Sequence, residues 1–190
     1  MLSALDVFDE LPRRLHSGLE LIQRCKTMPE HMSAGALQPE SANGGAARAA
    51  AIALLSRRDF TSAELQQRLR SKGFQSQTAR SVVATLISQG IVNDERYAQN
   101  YVAYHAGRGH GPIRIGADLR SRGIAPTLID AALDAGPDWR AVARAARRRR
   151  FGERPPESWR EKARQARFLQ YRGFSADHIR AATGVNSEPD

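Results

Sequence analysis

The chain carries one six-residue pattern three times, at a constant interval of 50 residues: Leu69-Arg-Ser-Lys-Gly-Phe74, Leu119-Arg-Ser-Arg-Gly-Ile124 and Leu169-Gln-Tyr-Arg-Gly-Phe174. An internal repeat of this period is typical of an array whose units bury apolar faces against one another. The pattern has the form of a helix C-terminus, where a glycine takes the left-handed conformation and the next apolar residue packs on the leucine. We therefore predict a positive φ at each of the three glycines and burial of the three leucines.

The residues before each glycine predict a middle helix with a defined start. Thr61 and Glu64 have the spacing of a capping box, and Ser158 repeats this spacing in the third unit. In the second unit, Gly111-Pro112 supplies a break and a first-turn proline. Apolar residues recur at helical spacing before and after each middle helix, so each unit is predicted to contain three helices.

The sequence therefore predicts an all-α fold, a tandem array of three three-helix repeats that forms an elongated, curved body. No strand is predicted. Residues 1–45 end in Asn43-Gly44-Gly45 and are predicted to be an N-terminal appendage and linker, partly disordered, with a short helix within 1–24 and a linker from Met28. The predicted boundaries are 46–92 for repeat 1, 93–136 for repeat 2, 138–184 for repeat 3 and 185–190 for a tail.

Positive charge is concentrated in the third repeat. The chain has a net charge of +9 and a pI near 10.7, and residues 138–184 hold thirteen basic side chains against five acidic ones. In the first helix of this repeat, Trp139, Val142, Ala143 and Ala146 form an apolar face, while arginines gather on the other side. A solvent face made of arginine attracts polyanions.

We predict that basic residues along the array bind a polyanionic partner, and that their side chains are largely exposed and line one continuous positive surface. The candidates lie on the arginine face of repeat 3, near the three glycine turns and at the start of the second middle helix. They are Arg70, Lys72, Arg114, Arg120, Arg122, Arg140, Arg144, Arg147, Arg148 and Arg172. The alternative is a merely solvated face, because the whole chain has only three lysines and a genome-wide preference for arginine would produce the same pattern.

The sequence gives little support for catalysis. It shows no glycine-rich phosphate loop, no metal-type spacing of His and Cys, and no nucleophile placed with a base. We predict no catalytic, cofactor-binding or metal-ligating residue and no cofactor. His105 and His110 are interpreted as helix-end and loop residues rather than a ligand pair. Cys25 has no second cysteine with which to form an internal disulfide.

Two other protein classes are disfavoured. No run approaches the roughly 18 to 20 apolar residues of a membrane span, and acidic residues precede any apolar stretch, so a cytoplasmic location is predicted. A helix-turn-helix that reads DNA would place Gln75, Gln77 and Arg80 near the start of a recognition helix in repeat 1. The matching stretch of repeat 2, residues 125–128, offers almost nothing to hydrogen-bond base edges, so tandem base reading is not expected.

Several ordered motifs resemble the RecX family of recombination regulators, over residues 48–184. They are Arg57-Arg-Asp-Phe-Thr-Ser-Ala-Glu-Leu65, Leu69-Arg-Ser-Lys-Gly-Phe74, Asn93-Asp-Glu-Arg-Tyr-Ala98, Gly111-Pro-Ile-Arg-Ile115 and Leu119-Arg-Ser-Arg-Gly-Ile124. Residues 1–45 lie outside the resemblance. On the interpretation given above, most of the motif residues are helix caps and core contacts.

The resemblance implies a regulator and not a catalyst. Proteins of this family are all-helical, built from three-helix repeats into a curved body, and bind the RecA recombinase, chiefly as a filament on single-stranded DNA. They lodge in the filament groove, limit its extension or promote its disassembly, and so lower ATPase and strand-exchange activity; weak direct DNA binding is also implied. We expect a monomer that acts in recombination and DNA repair. The alternative is a general basic helical protein that binds nucleic acid.

Overall fold

A computed structural model gives the structure of residues 39–184, with side chains described from residue 43 onward. Every regular element in this range is a helix, which confirms the all-α prediction. The helices are α1 (Pro39–Leu55), α2 (Ser62–Ser71), α3 (Ser76–Ser88), α4 (Asp94–Gly107), α5 (Pro112–Ser121), α6 (Pro126–Asp134), α7 (Trp139–Phe151), α8 (Trp159–Tyr171) and α9 (Ala176–Thr183). The predictions for residues 1–38, including Cys25, and for 185–190 lie outside the described residues. Within those residues, no helix combines the length and the apolar character that a membrane span requires.

The chain divides after Asp59 into two compact units. The described part of the first unit contains α1, which begins at Pro39. The predicted linker up to Gly45 is therefore wrong for residues 39–45, which are helical. A proline at the first helical position is already set for the helix, and the alanine-rich stretch after Gly45 favours helix strongly enough to offset about 1 kcal/mol for each glycine.

The second unit begins at Phe60 and contains α2 to α9. The helices α2 and α3 pack together, α4 packs on α5 and α6, and α7 packs on α8 and α9. The leucine of each repeated pattern is fully buried, as predicted. The core of repeat 2 contains Val102, Ile115, Leu119, Ile124 and Ile129, and the core of repeat 3 contains Ala143, Ala146, Leu169 and Phe174.

The three glycine turns end the middle helices α2, α5 and α8 as predicted. Gly73, Gly123 and Gly173 have φ values of 93°, 78° and 86°. In each turn the N–H after the glycine donates to the leucine carbonyl, with N···O distances of 3.3, 3.2 and 3.1 Å. The glycine N–H donates to the carbonyl three residues earlier, so all three turns are Schellman motifs.

The helix starts also follow the sequence signals. The Thr61 hydroxyl accepts from the backbone N–H of Glu64 at 3.0 Å, and Ser158 forms a complete capping box with Glu161. Gly111 precedes the first-turn proline of α5. These caps fix where each middle helix begins, and those starting points are where neighbouring repeats meet.

The end of one middle helix lies against the start of the preceding middle helix. At the first joint, between α5 and α2, the Thr61 hydroxyl donates to the carbonyl of Arg122 at 2.7 Å. At the second joint, between α8 and α5, the N–H of Gly111 donates to the carbonyl of Arg172 at 2.8 Å, and the N–H of Ile113 donates to that of Gly173 at 3.1 Å. Carbonyls left without partners at the end of one middle helix are thus satisfied at the start of the preceding middle helix.

The glycines at the two joints are required by packing as well as by φ. A Cβ on Gly173 would lie 2.4 Å from the Cβ of Arg114, and one on Gly123 would lie 2.5 Å from the Cβ of Ala63. A Cβ on Gly73 would meet nothing within 4 Å. The first turn therefore needs glycine only for its backbone conformation.

Candidate polyanion-binding surface

The ten predicted contact residues occupy different environments. Six are exposed, namely Arg70, Lys72, Arg120, Arg140, Arg144 and Arg148. Arg114, Arg122 and Arg172 are half-buried at the joints, and Arg147 is buried. The predicted exposure is therefore confirmed for the first group only, and a role in partner binding stays a prediction for all of them.

Arg147 contradicts the predicted exposure of the arginine face. Its side chain is only 5% exposed. The guanidinium donates to the carbonyls of Arg154 at 2.9 Å and Glu153 at 3.0 Å, so it holds the loop that follows α7. The physical reason is its position one turn after the fully buried Ala143, at the edge of the apolar face.

The exposed arginines of α7 form only loose ion pairs. Arg144 lies 3.7 Å from Asp138 and Arg148 lies 3.8 Å from Glu153. Asp138 is also the N-cap of α7, and its pKa is lowered first by the hydrogen bond from the backbone N–H of Ala141. Exposed pairs of this kind contribute between about 0 and 1 kcal/mol, so both guanidinium groups remain accessible to a partner.

Arg122 belongs to the first joint. Its guanidinium donates to Glu64 at 2.8 Å and to the hydroxyl of Tyr97 at 3.2 Å, and it lies over the Tyr101 ring at 5.1 Å. These contacts join α5 to α2 and α4. Arg122 therefore has a structural role that the sequence pattern did not indicate.

Asp94 is another residue of the first joint, and its role there was not predicted from the sequence. The cap of α4 is the neighbouring Asn93, whose side chain accepts from the N–H of Arg96 at 2.9 Å. The Asp94 carboxylate instead accepts from the N–H and the hydroxyl of Ser62, at 2.8 and 2.6 Å. No local signal could have revealed this contact, because the partners lie 32 residues apart.

A basic cleft opens at the second joint. Its volume is about 180 Å³, and it is lined by Arg108, Gly109, Ala146, Arg149, Arg150, Phe168 and Arg172. Of these arginines, only Arg172 was among the predicted contact residues. Arg149 and Arg150 lie in the arginine run of α7, and Arg108 follows α4, so the fold brings together charges from two repeats.

Two histidines lie beside this joint. The Nδ1 atoms of His105 and His110 are 3.2 Å apart, and His105 stacks on Tyr101 with ring centroids 4.0 Å apart. Burial lowers the pKa of both imidazoles, and the charges of Arg114 and Arg172 lower that of His110 further. Within the described range, no third His, Cys, Asp or Glu joins them in a group that could hold a metal ion.

Fold and surface together define a class, the all-α tandem-repeat proteins with a strongly basic terminal repeat. Family models describing the first, second and third three-helix domains of RecX match residues 47–86, 93–133 and 138–183. The chain belongs to the RecX family of regulatory proteins.

Curated relatives agree with this assignment, and a solved structure has a similar fold. The chain is 45% identical over 146 residues to the regulatory protein RecX of Halorhodospira halophila, covering 76% of this chain and 91% of the relative. It is 41% identical over 135 residues to that of Ectopseudomonas mendocina, covering 70% and 90%. The fold is similar to the crystal structure of RecX from Lactobacillus salivarius, with a TM-score of 0.67, 23% identity and coverage of 75% of this chain and 95% of that one.

Proposed function

We propose that this protein regulates the RecA recombinase by binding its filament on single-stranded DNA and inhibiting filament extension, ATPase activity and strand exchange. Membership of the RecX family supports the choice of partner. The proposal includes action in the cytoplasm, as a monomer without a cofactor. The repeat boundaries predicted from the sequence remain part of it.

The accessible arginines of α7 are the observation that carries the proposal. Arg140, Arg144 and Arg148 are exposed, and the two of them that form ion pairs do so at 3.7 and 3.8 Å. A recombinase filament on DNA is a large polyanionic lattice. A tandem array that contacts several neighbouring subunits gains affinity through high effective concentration, even where each contact is weak.

RecA ATPase measured on single-stranded DNA tests this proposal. The full chain is titrated to concentrations far below that of RecA. We expect inhibition at such ratios, because one molecule bound at a filament end or in its groove affects many subunits. Unchanged ATPase at equimolar protein, with RecA shown to be active, would contradict the proposed regulation.

The role of α7 is tested with Arg140→Ser, Arg144→Ser and Arg148→Ser combined. Arg147 is kept because its burial would confound the result. Each exposed substitution should shift stability by only about 0.5 kcal/mol, so circular dichroism should show unchanged helicity. We expect weaker inhibition and a flatter salt dependence, because fewer ionic contacts remain.

A matched control removes the same charge elsewhere. Arg57, Arg68 and Arg80 are exposed and lie outside α7. Their combined change to Ser should leave inhibition closer to that of the parent. Equal inhibition by the α7 variant and the parent over a salt series would show that this face is only solvated.

A binding measurement with RecA alone, without DNA, distinguishes RecA regulation from the alternative function, general nucleic-acid binding. Binding to RecA without DNA, measured by calorimetry, is expected for a RecA regulator. A general nucleic-acid-binding protein would bind only in the presence of DNA, and its affinity would fall steeply with salt.

A further inference from the structure

The cleft at the second joint has four arginines and no carboxylate in its lining. Among the described residues, none of Arg108, Arg149, Arg150 and Arg172 forms an ion pair with Asp or Glu. Like charges held close together destabilise a surface unless an anion compensates them. An uncompensated group of this kind is therefore a candidate anion site.

Three of the four guanidinium groups are held by hydrogen bonds that leave further donors free. Arg172 donates to the carbonyl of Arg108 at 3.2 Å and lies over the Phe168 ring at 5.2 Å. Arg149 donates to the carbonyl of Gly107 at 3.3 Å, and Arg108 donates to the hydroxyl of Tyr104. Each guanidinium has five N–H donors, so most remain available for a ligand in a site that needs little ordering.

The cleft fits a phosphate better than a larger planar group. Arginine forks match phosphate oxygens in bidentate geometry. Phe168, the aromatic residue in the lining, is covered by Arg172 and is not open for base stacking.

Tyr104 is exposed, contacts a cleft arginine and favours a nucleic-acid strand over an acidic peptide. Its hydroxyl accepts from the Arg108 guanidinium, and the residue is 58% exposed. Aromatic rings beside a basic groove are the combination that binds single strands without reading their sequence.

We propose that the cleft at the second joint binds a phosphodiester group of single-stranded DNA, with Arg108, Arg149, Arg150 and Arg172 as its donors. The family resemblance implies weak direct DNA binding without locating it, and the new inference is the site itself, which is separate from the RecA regulation proposed above. Arg149 and Arg172 reach across the joint, so a bound strand holds repeats 2 and 3 together.

Fluorescence anisotropy with a labelled oligothymidylate and the full chain, in the absence of RecA, tests the site. The test variant combines Arg108→Gln and Arg150→Gln, and the control combines Arg80→Gln and Arg160→Gln, which are exposed residues outside the cleft. We expect the test variant to bind about tenfold or more weakly, since charged hydrogen bonds are lost. The slope of log affinity against log salt should fall by about 0.7 for each phosphate contact removed.

The control variant distinguishes a loss of cleft contacts from a loss of positive charge in general. It removes the same charge and should change affinity by no more than about twofold if long-range attraction is the only loss. Equal weakening by both variants would overturn the proposal in favour of diffuse charge. Because RecA is absent, this result is independent of the ATPase titration.

Arginine footprinting on the unmodified protein removes any dependence on how the variants fold. Phenylglyoxal modification is followed by mass spectrometry with and without the oligonucleotide. We expect DNA to slow modification of the four cleft arginines and not of Arg80 or Arg160. Equal protection of the cleft arginines and of Arg80 and Arg160 from modification would overturn the proposed site. Protection by RecA without DNA, and none by the oligonucleotide, would instead assign the cleft to a protein carboxylate and also overturn it.

Discussion

The two joints share one packing arrangement but differ in how charge is balanced. At the first joint Arg122 pairs with Glu64 at 2.8 Å, and Asp94 accepts two hydrogen bonds from Ser62. At the second joint the helix ends meet through backbone hydrogen bonds, and Arg172 donates to the carbonyl of Arg108. The same docking is thus made once with compensated charge and once with excess positive charge.

The interval of 50 residues shows where the difference arises. Arg122 corresponds to Arg172, while Glu64 corresponds to Arg114. The position that supplies the carboxylate at the first joint supplies a second guanidinium at the other. Docking therefore does not require an ion pair, and the second joint is free to direct its charge towards a ligand.

Substitution of the turn glycines should give the largest difference in stability between a turn packed at a joint, that of Gly173, and the turn of Gly73, which lies at neither joint. Gly173→Ala should lower the free energy of unfolding by about 2 kcal/mol or more, since left-handed strain of about 1 to 2 kcal/mol adds to overpacking of about 1 to 3 kcal/mol. Gly73→Ala should cost only the strain, because its Cβ meets nothing within 4 Å. Urea unfolding of both variants measures the difference. Equal losses would mean that the second joint does not depend on this close approach.

Exchanging the charges of the joints should have a smaller effect. Glu64→Arg removes the pair with Arg122 and should lower the unfolding free energy by about 1 kcal/mol, an amount that shrinks in salt. Arg114→Glu supplies a carboxylate near Arg172, so stability should be kept while oligothymidylate binding weakens. The salt-resolved unfolding curves and anisotropy of the two variants check this, and stronger DNA binding by Arg114→Glu would refute it.

Protonation of the histidine pair beside the second joint should give the smallest change in the free energy of unfolding. Burial lowers the pKa of His105 and His110 from 6.5, so the native state binds protons less readily than the unfolded chain. The free energy of unfolding should therefore fall as pH drops below 6.5, until the lowered native pKa values are passed. Urea unfolding at pH 7.5 and 5.5 tests this. His110→Gln should flatten the dependence only in part, because burial also lowers the pKa of His178.

Local sequence signals predicted the helix ends but not the contacts between repeats. The left-handed glycines and the Ser158 capping box depend on residues within one turn, so their spacing is visible in the chain. The hydrogen bond from Thr61 to the Arg122 carbonyl joins positions 61 residues apart, and no pattern near Thr61 reveals it.

The candidate surface was only partly predictable for the same reason. Exposure of Arg140 and Arg144 follows from helical periodicity. Burial of Arg147 depends on a loop that folds back over α7, and the cleft depends on Arg108 meeting arginines some 40 residues further on. The helical stretch from Pro39 shows that neighbouring helix formers can outweigh the local signal of two glycines.

The start of α8 differs from the starts of α2 and α5 in how its backbone donors are satisfied. At α2 and α5 the first turn receives the end of the next middle helix. At α8 the carboxylate of Glu161 instead accepts from the backbone N–H groups of Glu157 and Ser158, at 3.1 and 3.4 Å. A fourth module, or a second molecule adding head to tail, would find these donors already used.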